Sequence, residues 1–345
     1  MARRGNVARS ALVVLAVAVL ALLTWQLAGV FLLVFGGIIL ATALRALAAP
    51  LQRRAGLSSR LALAIATSLV AAVLGIAAWL IGDRLAAQLG EVRQRLPEAL
   101  AALSGWLNER PLGLAILETW EEAKAGEVPW ARIASMATLT FGALGSVLLV
   151  VMIGIFLAAD PHLYRNGLIR LVPIDYRHRV DEALVASGHA LTRWLLGQGI
   201  SMLFVGIATA AGLAALGMPL ALSLGFIAGL LGFIPFFGPI VSGVLAVLFA
   251  FTQGPTQALY LAGLALLIQQ VEGNLLMPFV QRWAVSLPPV LGIVAAVAFG
   301  LLFGIVGVLF ATPLMVVTMV LVEKLYVEGV LESRPRASVE DREFR

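Results

Sequence analysis

Long apolar runs separated by short polar segments form the main pattern of this chain. The first run begins at residue 11, turns near Gly29 and resumes to Leu44 without a convincing small-residue cleavage site, so we predict an uncleaved first helix and a returning second one. Further runs occupy about residues 61–81, 134–158, 194–217 and 256–277. A run of about 20 apolar residues can cross the ~30 Å hydrocarbon core of a bilayer. The pattern predicts an all-α polytopic membrane protein with about six full transmembrane helices.

An additional apolar segment, residues 220–251, is interrupted by Pro235 and Pro239. Each proline removes a backbone N–H donor and disfavours the helical conformation of the residue before it. For Pro239 that residue is Gly238. The two arms have about 15 residues, or ~22 Å, which is short for a full crossing. We predict a broken helical hairpin that enters from outside, although whether it is re-entrant or fully spanning stays open.

A second broken segment, residues 290–322, is interrupted around Gly300, Gly304 and Gly307 and predicts a hairpin from the cytoplasmic side. One span plus an outside hairpin, then one span plus an inside hairpin, is the order of an inverted-topology repeat. Two interpretations stay open. The hairpin tips meet near the midplane and present free backbone groups to a solute or ion, or the glycines only permit close helix packing.

The longest polar stretch, residues 83–132, has eight acidic and six basic residues, a balance that suits the outer side of the membrane. Its apolar residues step by three or four, which predicts an amphipathic helix. We consider three partners for the apolar face: the membrane surface, the protein's own subunit, or another subunit. Pro97 is tolerated only in a first turn or as a kink, so two helices are an alternative to one. The apolar positions are Leu85, Leu89, Val92, Leu96, Leu100, Leu103 and Leu107.

Basic residues cluster beside the apolar runs and set the predicted orientation. Of the 345 residues, 61% are hydrophobic and 12% are charged, with a net charge of +5, which excludes an ordinary soluble domain. The positive-inside effect explains the arginines better than a nucleic-acid partner does. It places both termini and residues 160–193 on the cytoplasmic side of a bacterial-type inner membrane. The arginines concerned are Arg3, Arg4, Arg9, Arg45, Arg53, Arg54, Arg60, Arg165, Arg170, Arg177, Arg179 and Arg193.

Motifs of catalysis and of cofactor binding are missing from the sequence. There are no cysteines, no phosphate-binding G-x-x-x-x-G-K-[ST] loop, no H-E-x-x-H and no G-x-S-x-G. The histidines His162, His178 and His189 lack metal-ligand spacing. We therefore expect no enzyme activity, no cofactor and no metal site.

Glu272 is the candidate site residue that stands out. It is the only charged residue between Arg193 and Arg282, and Gln269 lies three residues before it on the same predicted helical face. An ionisable residue inside a membrane segment is a functional candidate because its burial is costly without a partner or water. The alternative is an interfacial glutamate paired with Arg282. The full set of binding candidates is Gln269, Glu272, Asn274, Pro235, Gly238, Pro239, Gly304 and Gly307.

These assignments divide the chain into five parts. Residues 1–82 form N-terminal transmembrane helices and 83–133 the outer amphipathic segment. Residues 134–193 hold a span and a cytoplasmic amphipathic segment. Residues 194–325 form a transport core with both hairpins, and 326–345 a cytoplasmic tail.

Several short motifs are spread along the chain: Asp160, Leu171-Val172-Pro173, Leu196-Gly197-Gln198, Leu216-Gly217-Met218-Pro219, Ile234-Pro235-Phe236-Phe237-Gly238-Pro239, Gln269-Gln270-Val271-Glu272-Gly273-Asn274 with Pro278, and Gly304-Ile305-Val306-Gly307 with Pro313. Together they resemble the autoinducer-2 exporter-like transporter family over nearly the whole chain. The resemblance implies export of small solutes, with members linked to autoinducer-2 and others to sodium or proton antiport, as well as homo-oligomers. Where relatives commonly carry His-Pro before the last hairpin, this chain has Pro288-Pro289, so a proton-linked role of that histidine is not carried over.

The leading functional hypothesis is a secondary transporter of a small solute, coupled to a proton or sodium gradient, in a lipid bilayer. It depends on the paired broken segments and the intramembrane carboxylate. The alternatives are a sodium/proton antiporter and a non-transporting membrane scaffold, the latter suggested by the outer amphipathic segment.

Overall fold

The computed structural model describes residues 26–108, 141–218, 220–235, 237–278 and 288–331. Every element in these ranges is helical, which confirms the all-α prediction. Two short 3₁₀ turns, Ile174–Tyr176 and Phe251–Gln253, and two π-helical segments, Glu272–Leu276 and Glu323–Leu331, join or extend the helices. The α-helices are α1 (Ala28–Ala55), α2 (Ser59–Asn108), α3 (Phe141–Ala159), α4 (Pro161–Arg170), α5 (Arg177–Ala215), α6 (Ala221–Leu231), α7 (Phe237–Ala250), α8 (Pro255–Val271) and α9 (Pro289–Val322).

Most of the predicted apolar runs coincide with helices that are apolar enough to cross a bilayer. The run at residues 61–81 is the exception, because the described apolar part of α2 is Ser59–Val73, which is shorter than a full crossing. In the described part of the chain, α1, α5 and α8 with its π segment are each long and apolar enough to cross a bilayer, and α9 has the same length and apolarity but is divided at Gly304. Helix α3 passes the same test together with α4, to which it is bent by 87°. The predicted first helix, at residues 11–23, lies outside the described residues.

Helices α1 and α3 pack closely through glycine. A Cβ on Gly37 would overlap Ile153, and one on Gly154 would lie 2.8 Å from Leu40 Cδ2, so a larger residue at either position would push the helices apart. Small residues allow such approaches between membrane helices. At the end of the pair, Arg45 Nε donates to the Ala158 carbonyl oxygen at 2.8 Å, which satisfies one of the free carbonyls of the α3 terminus.

Helix α5 runs without a break through the predicted cytoplasmic amphipathic helix and the predicted fifth span. Its 39 residues extend about 58 Å at 1.5 Å per residue. It contacts α1, α4, α6, α8 and α9. Trp194 anchors this arrangement, since its ring meets Phe233 edge-on at 5.6 Å and both belong to a cluster with Ile39 and Val316. The helix is therefore the central packing element of the described structure.

The contact between α5 and α6 depends on small residues in both helices. Gly206 and Ala210 lie four residues apart in α5, and Gly225 and Gly229 lie four apart in α6. A Cβ on Gly225 would meet the Ala210 Cβ at 2.5 Å, and one on Gly229 would lie 3.1 Å from the Gly206 Cα. This reciprocal small-xxx-small pattern brings the first arm of the first hairpin against α5.

Helix α2 is one helix of 50 residues, about 75 Å long, and continues through Pro97. Of the two alternatives for that proline, the structure has the single helix. Near its end, Ala99 and Leu103 pack against a cluster at the base of the first hairpin, and Trp106 meets Phe251 at 5.5 Å. The outer segment thus packs on its own chain up to Asn108, and residues 109–132 lie outside the described ranges.

The first broken hairpin consists of α6 and α7, which pack on each other and are joined at residues 232–236. Their 11 and 14 residues give arms of about 16 and 21 Å, shorter than a ~30 Å core. These lengths agree with a re-entrant hairpin.

The second broken hairpin is α9, which folds back at Gly304. This residue has φ 65° and ψ −148°, a backbone conformation essentially restricted to glycine. A Cβ on Gly307 would overlap the Phe299 carbonyl oxygen, although residues eight apart in a straight helix are separated by about 12 Å. Ala296 and Ala311 also share a buried cluster across the two arms. The turn predicted near Gly304 is present.

Candidate functional site

Glu272 is buried, with 7% of its surface exposed. Ser201 of α5 donates a hydrogen bond from its Oγ to Glu272 Oε1. The second oxygen, Oε2, is also buried and has no hydrogen-bond partner among the residues that the structure describes. A carboxylate in this state holds one free acceptor site, which is suited to a proton or to a small cation.

The backbone widens where this carboxylate sits. The π-helical segment Glu272–Leu276 begins at Glu272, and the Met277 N–H bonds the Glu272 carbonyl oxygen, five residues back. π-Helical insertions in α-helices are rare and frequent at functional sites. Here the wide turn comes at the only charged residue of the apolar stretch between Arg193 and Arg282. The alternative interpretation, pairing with Arg282, involves a residue outside the described ranges.

A second buried polar side chain of α5 connects this site to the first hairpin. Gln198 donates from Nε2 to the carbonyl oxygen of Gly232, at the break between α6 and α7. Gln198 and Ser201 are three residues apart, so they share a face of α5 about 4.5 Å apart along its axis. Helix α5 therefore holds the carboxylate and the broken tip within about one helical turn of each other.

Two backbone N–H groups beside the break of the first hairpin are already paired. Gly238 N–H bonds the Ile234 carbonyl oxygen at 2.9 Å, and Phe237 N–H bonds that of Pro235 at 2.8 Å. A Cβ on Gly238 would overlap the Leu231 carbonyl oxygen, so only glycine permits this close return of the chain. The tip thus presents a compact, internally bonded turn, and the free acceptor nearby belongs to Glu272.

Gln269 and Pro239 line a small cavity between α5, α7 and α8. Its volume is about 40 Å³, enough for one or two water molecules and too small for an organic solute. Thr209 and Ser242 supply further hydroxyl groups to its wall. The predicted residues Gln269 and Pro239 are therefore brought together, in a space of ionic or water size.

The other candidates lie elsewhere. Asn274 is exposed and donates from Nδ2 to Gln270 Oε1 at 2.5 Å, so it pairs on the outer face of its helix while Glu272 points inward. Gly307 packs within its own hairpin, against Phe299 and Phe303, whereas nothing lies within 4 Å of a Cβ placed on Gly304. The part of the second hairpin that shares a cluster with Phe233 of the first is its returning arm, with Val316.

A larger cavity of about 310 Å³ opens between α5 and the π-helical segment Glu323–Leu331. Charged side chains of both signs surround it, and Lys324 Nζ pairs with both carboxylate oxygens of Glu328 at 2.5 and 2.7 Å. Its volume is in the range that binds small molecules. The charged lining residues are His189, Arg193, Glu323, Lys324 and Glu328.

Sequence reasoning missed the side chains that complete the site. Ser201 and Gln198 lie in an apolar run and carry no motif of their own, and Ser201 is 71 residues away from Glu272. The available signal was the spacing of Trp194, Gln198 and Ser201, which places the two polar residues on the buried stripe of α5.

Known proteins match the chain along most of its length. A family model described as AI-2E family transporter matches residues 12–326. A proposed transport protein of Mycobacterium tuberculosis (strain CDC 1551 / Oshkosh) is 30% identical over 257 residues, 70% of this chain and 68% of that protein. A proposed permease, PerM, of Escherichia coli (strain K12) is 30% identical over 185 residues, 53% of this chain and 52% of PerM.

A proposed transport protein, YueF, of Bacillus subtilis (strain 168) is 28% identical over 186 residues, 53% of this chain. The chain spans half the length of YueF in this match. The names of these three relatives all describe proteins of membrane transport.

Proposed function

The chain belongs to the AI-2E family of transporters, and from this we propose that it is a secondary transporter of a small solute in which Glu272 binds the coupling cation. The observation that carries the proposal is the unpartnered Oε2 of this buried carboxylate. A proton or a sodium ion at Oε2 neutralises a charge whose burial is otherwise costly. A bound cation then favours the conformations in which the carboxylate is buried.

Solute movement is coupled to this site through α5. The helix bonds Glu272 through Ser201 and bonds the tip of the first hairpin through Gln198, so a shift at either contact strains the other. Breaks in membrane helices are the usual position of such sites in transporters. We propose that the solute enters at the 310 Å³ cavity, whose charges of both signs suit a small polar molecule. An autoinducer-2-like signal is within this class.

The orientation and assembly of the transporter are part of the proposal. Basic segments beside the spans favour both termini in the cytoplasm and a bacterial-type inner membrane. Homo-oligomers, implied by the family resemblance, stay a prediction. The outer segment now gives less support to the scaffold alternative, because Ala99 and Leu103 pack on the base of the protein's own first hairpin.

The test is flux into vesicles that contain the purified protein. Liposomes loaded with a pH-sensitive dye receive a sodium gradient or a pH gradient, alone or with a panel of radiolabelled small polar solutes that includes autoinducer-2, so that proton movement and solute uptake are both measured. We expect an ion-dependent signal from the unmodified protein and its loss in Glu272→Gln, which keeps the shape and removes the charge. Glu182→Gln, at an exposed carboxylate paired with His178, is the matched control.

Three outcomes separate the candidates. A signal that requires an organic solute supports solute transport. Sodium-for-proton exchange without a solute supports the antiporter, in which the same free oxygen of Glu272 would bind the ion. No flux above empty liposomes for any solute or ion supports the scaffold. Unchanged flux in Glu272→Gln would make this carboxylate structural.

A further inference from the structure

A sharp bend in the chain separates helix α4 from helix α3. Helix α3 is an apolar helix of 19 residues, and α4 departs from it at 87°. Asp160 forms the corner, with its Oδ1 accepting from the Leu163 N–H at 3.2 Å, and Pro161 opens the first turn of α4. With α3 as the crossing that its apolar run predicts, α4 runs roughly parallel to the membrane plane, at the end predicted to be cytoplasmic.

One face of α4 is attached to the protein. Arg165 Nε lies 3.1 Å from Asp181 Oδ1 of α5, and Ile169, four residues later on the same face, is half-buried. Arg177, after the next turn, donates to the carbonyl oxygens of Val172 and Arg170. These contacts fix which face of α4 is turned toward the rest of the protein.

The opposite face is apolar and exposed. Leu163, Tyr164 and Leu168 are all exposed, and their spacing of one, four and five residues places them on one side of α4. The chain continues this surface beyond the helix, where Leu171 is 83% exposed and Ile174 is 77% exposed. Exposed apolar surface of this extent in an amphipathic helix indicates a partner.

We propose that residues 161–176 form an interfacial element whose apolar face inserts into the headgroup and acyl boundary of the lipid leaflet at the Asp160 end of α3. Phospholipid is the occupant because the in-plane axis of α4 begins where a membrane-crossing helix ends. Phe156, in the last turn of α3, is 59% exposed, so the apolar surface begins within the crossing itself. Arg170, near Leu163 on the helix circumference, can extend its long side chain to the phosphates.

The natural absence of cysteine makes a direct test simple. Single cysteines at Leu168→Cys and Asn166→Cys, on the apolar and polar sides of α4, are labelled with an environment-sensitive fluorophore. The full chain is reconstituted in phosphatidylcholine and phosphatidylglycerol vesicles, with quenching by brominated acyl chains compared with quenching by aqueous iodide. Leu171→Cys repeats the measurement beyond the end of the helix.

We expect the probes at 168 and 171 to emit at shorter wavelength, to be quenched by brominated lipid and to be protected from iodide, with the reverse at 166. Iodide quenching of equal strength at 166 and 168 would overturn the proposal, because the face would then lie in water. Protection of the 168 probe from both quenchers would also overturn it, because a protein surface, such as a second copy of the chain, would cover the face.

Discussion

Ser201 gives Glu272 its hydrogen bond, and the consequences can be measured. Ser201→Ala removes the donor and leaves both carboxylate oxygens without a hydrogen-bonding side chain of α5. Hydrogen bonds to charged groups contribute about 1.5–3 kcal/mol and favour the empty, charged carboxylate over the neutralised one. Without this bond a cation should bind more tightly, so the sodium concentration for half-maximal flux should fall roughly tenfold. Initial rates in dye-loaded liposomes at varied sodium report it.

Thr192→Ala is the matched control for that change. Its hydroxyl bonds the Gly188 carbonyl oxygen within α5 at 2.8 Å, away from the carboxylate. An equal change in sodium dependence in both variants would mean that the effect comes from α5 as a whole, and Ser201 would then have no direct part in cation binding.

Gln198 holds the broken tip, and its loss should lower stability. Gln198→Leu removes the donor to the buried Gly232 carbonyl, and leaving such a group unpaired costs about 1–3 kcal/mol. We expect a lower unfolding temperature in detergent, measured by heating followed by size-exclusion chromatography. Gln270→Leu, at an exposed position, should change it much less. Equal unfolding temperatures for Gln198→Leu and the unmodified protein would contradict the assigned bond.

At the scale of the elements, glycine controls the first hairpin. Gly238→Ala places a methyl group onto the Leu231 carbonyl oxygen, and backbone cannot move aside as a side chain can. We expect a destabilisation of about 1–3 kcal/mol or more, from overpacking. Gly243→Ala in the same helix meets only Ala265 Cβ at 3.8 Å, an ordinary contact, and should be tolerated. Unfolding temperatures of the two variants, measured side by side, provide the check, and similar values would count against the tight turn.

The hairpins could be predicted from the sequence because their causes are local. Pro235 acts on its own backbone, and Gly304 adopts a positive φ that other residues avoid. That α5 is unbroken could not be predicted from the sequence. Its amphipathic part continues into an apolar part at Arg193, so the composition changes there without any change in backbone geometry. The composition of a segment predicts whether water or lipid surrounds it, but it does not predict where a helix ends.

The pairing within the site required the fold. Glu272 was evident as an isolated charge in an apolar stretch, since that is a property of sequence alone. Its partner Ser201 is 71 residues away and chemically ordinary, so only the packing of α5 against the π segment identifies it. The same packing buries Glu272 and leaves Asn274 exposed, although both belong to one polar cluster in the sequence.

At the scale of the whole molecule, α5 connects two packed groups. Helices α1 and α3 approach through glycine on one side, and α6 approaches α5 through small residues on the other. Trp194 and its cluster bring together α1, α5, the first tip and the returning arm of α9. Helix α9 also meets α1 directly, where Phe310 packs edge-on against Phe35 at 6.0 Å. A movement of the first hairpin relative to α1 and α3 therefore involves α5, which also carries the contacts to Glu272 and Gly232.

Orientation is the last prediction, and it concerns the molecule as a whole. The distribution of arginines requires residues 83–132 outside and 160–193 inside, with both termini in the cytoplasm. The sequence has no cysteine, so Ala101→Cys and His178→Cys, both at exposed positions, can each carry a single label. In intact cells a membrane-impermeant maleimide should label position 101, and position 178 should react only after the membrane is permeabilised. Labelling of both from the same side would refute the topology, and with it the assignment of the α4 surface to the cytoplasmic leaflet.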